Sequence, residues 1–177
     1  RRPRGSEAGT VSLDRARLVR GSNFRDERGS FRTPWDRQDP EAPLRPDSLH
    51  FSRNESPGTL RGLHFQEAPH AQRKLVTCVK GEAFDVLVDL RPDSPDYLKW
   101  NAFSLTDDGH ALLVPAGYAH GFLTLAEDTV IAYLIEGAYV PEAARGLRWN
   151  DPRLGIQWPR EPRVLSTRDA AWPLLSR

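Results

Sequence analysis

The sequence predicts an all-β domain with short helices at most, and three observations carry that reading. Glycine and proline number 13 and 15 in 177 residues, and they fall between short apolar stretches, which is the punctuation of a strand-and-turn chain. Seven such stretches, at 60–66, 74–80, 82–90, 101–105, 111–114, 121–125 and 129–135, crowd into about 75 residues. Strands spaced this closely need a sandwich or barrel to bury their faces. Helical signals are confined to 94–97 and 141–145, where a proline stands in a first-turn position.

Turn chemistry bounds each strand, as in Asp107-Asp108-Gly109 and Pro115-Ala116-Gly117. In Asp85-Val86-Leu87-Val88-Asp89-Leu90 the acids alternate with aliphatics, so one pleat face is apolar and the other carries charge at its ends. A wet cavity on that second face explains the pattern. The tail at 152–177 is rich in Pro, Arg and Trp and is expected to pack as irregular chain over the barrel. Residues 1–177 are read as one domain, with a flexible end over residues 1–10.

Composition narrows the function classes. Twenty-five Lys and Arg against 24 Asp and Glu give a net charge of +1, so the chain lacks the broad positive field of a nonspecific nucleic-acid binder. No apolar run approaches the ~18 residues of a membrane span, and the mean hydropathy is −0.59. Cys78 is the one cysteine, which forbids an intrachain disulfide, leaves too few thiolates for a structural zinc site, and makes a reducing cytoplasm the simplest setting.

Five histidines are present, at 50, 64, 70, 110 and 120, and His64 and His120 sit inside apolar stretches. A buried imidazole there needs a partner; the bland alternative for either alone is a satisfied core histidine. Pro115-x-Gly117-x-x-His120 has the spacing of the second metal motif of cupin barrels. The matching His-x-His and Glu are absent, since His64 is followed by Gln66 and His70 lies beyond a proline. Too few ligands remain for a metal.

Five blocks then form one pattern: Gly58-Thr59-Leu60-Arg61-Gly62-Leu63-His64-Phe65-Gln66, Lys74-Leu75-Val76, Phe84-Asp85-Val86-Leu87-Val88-Asp89, Val114-Pro115-Ala116-Gly117-Tyr118-Ala119-His120-Gly121-Phe122 and Arg145-Gly146-Leu147-Arg148-Trp149-Asn150-Asp151-Pro152. In order and spacing the sequence resembles the dTDP-4-dehydrorhamnose 3,5-epimerase family over about residues 23–173. The resemblance implies a cupin-type jelly-roll barrel, a homodimer, no metal and no cofactor. It implies a nucleotide-diphospho-4-keto-6-deoxyhexose substrate, inverted at C3, C5 or both through an enolate. Such chemistry needs a base, a positive group near the ketone oxygen and an acid on the opposite face.

By the family pattern His64 matches the general base, Asp169 its orienting carboxylate, Tyr133 the proton donor and Lys74 the group that holds the enolate oxygen. Read alone, Lys74 is a strand-edge charge, Tyr133 a sheet aromatic and Asp169 a surface acid. Arg61 matches a phosphate-contacting position, where a planar guanidinium suits a diphosphate. Strict alternation puts Arg61 and His64 on opposite strand faces, so a bulge or kink at Gly62 is required if both reach one ligand.

Arg28 and Phe31 belong to a segment that in the family reaches the ligand, often across the dimer; Tyr139 matches the base-stacking position. His120 with Asp85 matches a second His–carboxylate pair, and Gln66 and Arg168 complete the polar set. Departures fall on the base site: Thr33 and Ala144 replace acids, Ser48-Leu49-His50 replaces Gln-x-Asn, and Leu134 to Ala138 replaces a segment with Lys, Asp and Tyr. Restricted scope is therefore the main alternative: a monoepimerase using another nucleotide-ketosugar. A sugar-binding cupin without turnover is the alternative from another class.

Overall fold

The computed structural model describes residues 15–175, so the flexible end expected over residues 1–10 lies outside the described residues. Strands β1 (Arg17–Arg20), β2 (Ser22–Asp26), β3 (Gly29–Thr33) and β4 (Ser48–Asn54) open the fold. Then come β5 (Thr59–Gln66), β6 (Arg73–Lys80), β7 (Glu82–Asp89), β8 (Trp100–Thr106), β9 (His110–Val114), β10 (Tyr118–Thr124) and β11 (Thr129–Glu136). A 3-10 turn (Pro141–Ala143), β12 (Ala144–Gly146), β13 (Val164–Leu165) and helix α1 (Thr167–Ala170) end it.

Two antiparallel sheets face each other. One runs β1-β9-β6-β11-β4 and the other β12-β5-β10-β7-β8, with β13 added parallel to β5. Early strands pair with late ones, β4 with β11 and β5 with β10, while β6 and β7 nest inside. That nesting is the jelly roll, as the sequence implied. The β2–β3 hairpin stands apart as a two-stranded ribbon.

Between the sheets lies a core of Val76, Leu87, Leu105, Leu112, Phe122 and Ile131. A second cluster covers the outer face of the other sheet, where Leu63, Val86 and Val88 pack under Leu154, Ile156, Trp158 and Leu175 of the tail. Strand β7 is therefore buried on both faces, which is why its aliphatics run so densely. The tail is irregular for most of its length, as expected, but it also supplies β13 and α1. The 94–97 stretch is turn rather than helix, and only Pro141–Ala143 of the second helical signal winds. The amino-terminal strands missed by the sequence reading, β1 to β4, are short, polar or Pro-flanked.

Candidate active site

The bulge that the sequence required is present in β5. His120 pairs with His64 and Phe122 with Arg61, so Gly62 and Leu63 together oppose Gly121 alone. Gly62 has φ +129°, and a Cβ there would stand 2.5 Å from the Gly121 Cα. No other residue fits so close a crossing of two backbones. The extra residue returns Arg61 to the face of His64, and both line one cavity of about 270 Å³ with His50, Ser52, Lys74, His120, Tyr133 and Ile135. His64 and Arg61 come from one sheet, Lys74 and Tyr133 from the facing sheet. A second cavity of about 230 Å³ shares His64, Lys74 and Ile135 and adds Gln66, Tyr139, Ala144, Arg145 and Arg168 at the barrel mouth.

Helix α1 places Asp169 behind His64. Ser166 caps it by accepting from the Asp169 N–H at 3.0 Å, and Asp169 is buried although it lies 105 residues from His64 in sequence. Its Oδ1 meets the His64 Nε2 at 2.6 Å and accepts from the Trp172 indole N–H at 3.1 Å, while Oδ2 accepts from the Gly62 N–H at 3.2 Å. Burial pushes the Asp169 pKa up, but the His64 hydrogen bond and charge, then the Gly62 and Trp172 donors, hold it below the usual carboxylate range. The result is an anion fixed behind a half-exposed imidazole. The Trp172 ring meets His64 edge-on at 6.3 Å, in a space left by Gly146, where a Cβ would fall 2.2 Å from the indole.

The second pair is drier. His120 Nε2 lies 2.9 Å from Asp85 Oδ2, and both side chains are buried. Among the described residues Asp85 Oδ1 has no hydrogen-bond partner, and burial pushes this carboxyl up despite His120 and Lys74. Lys74 feels the same interior: desolvation lowers its pKa to about 8, partly offset by the Asp85 charge. Tyr133, also desolvated, has its pKa raised, so its hydroxyl stays protonated. That hydroxyl sits 3.1 Å from Ser52 Oγ, and its ring meets His120 edge-on.

Other expected residues fall into two groups. Tyr139 and Arg168 line the mouth, the latter stacked on Trp172 with its guanidinium 5.0 Å from the ring. Gln66 lines it too, but its carboxamide is engaged by the backbone of His70, Ala138 and Val140, so it ties down the 137–140 loop. Arg28 and Phe31 line neither of these two cavities. Arg28 pairs with Asp26 on the hairpin, and the hairpin is anchored by Arg32 to the carbonyls of Asp107 and Val79. Among the described residues no group of three or more His, Cys, Asp or Glu is arranged to hold a metal ion, and no described helix is long and apolar enough to cross a membrane.

The sequence reading missed Trp172, Ser52 and Asn54. The last two lie on β4, whose inward positions Ser48, His50, Ser52 and Asn54 are all polar. Alternation was the available signal, with the polar face turned inward.

A family model described as dTDP-4-dehydrorhamnose 3,5-epimerase matches residues 10–177. The chain belongs to this family. It is 44% identical over 173 residues to a dTDP-4-dehydrorhamnose 3,5-epimerase from Sinorhizobium fredii, covering 94% of this chain and 88% of that one. The crystal structure of dTDP-4-dehydrorhamnose 3,5-epimerase from Bacillus anthracis with TDP and PPi bound superposes with a TM-score of 0.85 at 38% identity, over 90% of this chain and 94% of that chain. A 3'-monoepimerase from Streptomyces bikiniensis in complex with dTDP-quinovose superposes at 0.79 with 30% identity, over 90% of this chain and 83% of that chain. The family is one of isomerases acting as carbohydrate epimerases, and this chain is an epimerase of that class.

Proposed function

We propose that the epimerase acts on a dTDP-linked 4-keto-6-deoxyhexose, with His64 as base, Tyr133 as acid and Lys74 as the cation beside the ketone oxygen. One observation carries the reading: His64 and Tyr133 come from facing sheets and line the same cavity, with Lys74 in its wall. A C–H beside a ketone is acidic only as an enolate forms, and a partly desolvated ammonium lowers the energy of that enolate more than one in water. Inversion needs proton removal on one face and delivery on the other, which two facing walls provide. Asp169 keeps His64 in the tautomer that presents a bare nitrogen to the substrate, then stabilises the imidazolium.

Arg61 and the mouth residues Tyr139 and Arg168 are assigned to the diphosphate and base. The relatives with TDP and dTDP-quinovose support that nucleotide. Ala144 in the mouth favours a second reading, in which the base site is altered and a single carbon is inverted.

The active unit is assigned as a homodimer. Leu49 and Phe51 are exposed on the outer face of edge strand β4, and Phe24 and Phe31 are exposed on the hairpin. A second copy would cover such apolar surface and bring the hairpin's Arg28 and Phe31 to the neighbouring cavity. The lone, buried Cys78 supports a cytoplasmic setting.

NMR of dTDP-4-keto-6-deoxyglucose incubated with the enzyme in D2O tests the reading. Deuterium at C3 and C5 with inverted product is expected. Deuterium at one carbon selects the monoepimerase reading, and no incorporation into any nucleotide-linked 4-ketosugar overturns both.

A further inference from the structure

One buried carboxamide joins two groups that the proposed reaction uses separately. Asn54 ends β4 and is 2% exposed. Its Oδ1 accepts from the Arg61 Nε–H at 2.7 Å and its Nδ2 donates to the Thr129 carbonyl at 3.0 Å. Arginine can only donate and a carbonyl can only accept, so this orientation of the amide is the one its neighbours permit. The remaining amide hydrogen is shared at longer range by Ser52, between its carbonyl at 3.3 Å and its hydroxyl oxygen at 3.4 Å. Ser52 Oγ in turn lies 3.1 Å from the Tyr133 hydroxyl.

We infer that Asn54 is a positioning residue which sets both the guanidinium that receives the diphosphate and the direction in which Tyr133 points its proton. The inference rests on the roles proposed above for Arg61 and Tyr133. With Nε held by Asn54, the two terminal nitrogens of Arg61 have no hydrogen-bond partner among the described residues. They form the paired N–H edge that meets a phosphate. An arginine without that anchor spreads over many rotamers, and binding must then order it.

The second branch concerns direction. Tyr133 gives its hydrogen to a carbon only if that hydrogen points into the cavity, so its oxygen must accept from Ser52. Ser52 donates to Tyr133 most readily when its own oxygen is already accepting from another donor, and the Asn54 amide is that donor. The Arg61 cation on Oδ1 polarises the amide and strengthens the N–H at the other end. The order of donation therefore runs from Arg61 through Asn54 and Ser52 to Tyr133.

The test compares Asn54→Ala, Ser52→Ala, Arg61→Ala and Tyr133→Phe by calorimetric binding of dTDP and by the ratio of inverted product to deuterium exchange in D2O. Asn54→Ala is expected to weaken dTDP about tenfold and to lower the ratio about tenfold, the loss of a hydrogen bond to a charged group being of that order. Ser52→Ala should lower the ratio alone. If Asn54 merely supports the fold, its variant loses folded fraction by circular dichroism while the folded protein keeps wild-type affinity and ratio, and the inference is overturned. Should Asn54→Ala fail to fold, Ser52→Ala decides: an unchanged ratio overturns the inference and a lowered ratio with wild-type dTDP affinity upholds it. Wild-type dTDP affinity in Arg61→Ala, or full inversion by Tyr133→Phe, would instead locate the failure in the roles given to those residues.

Discussion

His64–Asp169 and His120–Asp85 are the same pair of groups in two environments, and the contrast is the physical ground for the separate roles proposed for them. Asp169 accepts from three donors and faces a half-exposed imidazole. Among the described residues Asp85 accepts from His120 alone and keeps one oxygen unpaired, and it lies wholly inside the barrel. The surroundings push the two carboxyls in opposite directions, Asp169 down and Asp85 up. A base needs an accessible imidazole and a firm anion behind it, and the first pair has both. In the second pair only His120 reaches the cavity, through a nearly buried imidazole; the Asp85 charge acts on Lys74, whose charge it helps to keep.

Breaking the first pair should have the largest effect. His64→Ala is expected to reduce carbon-bound proton exchange by roughly 10²–10⁴-fold in protein that remains folded, measured by deuterium incorporation alongside circular dichroism. Asp169→Asn should cost less, about 10–100-fold in exchange rate, with dTDP affinity near wild type. An Asp169→Asn rate equal to wild type would reduce that residue to a fold-supporting role.

Lys74 sharpens the comparison through pH. Its ammonium is charged below about pH 8 and loses its proton above it, so kcat/KM should fall as pH rises through about 8. Lys74→Met should be slow and lack that limb. Asp85→Asn removes the negative charge that raises the Lys74 pKa, and the limb should move to lower pH.

The smallest expected effect is on stability, and its sign distinguishes the pairs. A carboxyl with a lowered folded pKa contributes stability above its unfolded value and loses it as pH falls through the folded value; this is Asp169. A carboxyl with a raised folded pKa contributes below its unfolded value and loses that contribution as pH rises through the folded one; this is Asp85. Urea unfolding at neutral pH should therefore find Asp169→Asn destabilised by about 1–3 kcal/mol and Asp85→Asn little changed or stabilised.

Much of this contrast was legible in the sequence, and what was hidden has a physical reason. His64, Gln66, Lys74, Asp85 and His120 lie in strands whose apolar spacing marks them; the acid alternation of β7 put Asp85 on the inner face, but that position is dry rather than wet, fully buried beside the core residue Leu87. The bulge at Gly62 followed from the need to bring Arg61 and His64 together. Strand β4 escaped because its pattern is inverted: Leu49 and Phe51 face out and Ser52 and Asn54 face in, the reverse of the polar-out rule. The environment of Asp169 was equally hidden, since its partners Gly62, His64 and Trp172 converge from a strand and an irregular tail that no local periodicity connects.

The proton-donor assignment on the wall facing His64 is tested most directly by Tyr133→Phe in D2O, with inversion and deuterium exchange measured on the same sample. His64 can still remove a proton and return deuterium from its own side, so exchange should persist while inverted product falls steeply. Equal loss of both, or full inversion by the variant, would contradict a mechanism in which the two facing walls of the barrel hold the base and the acid.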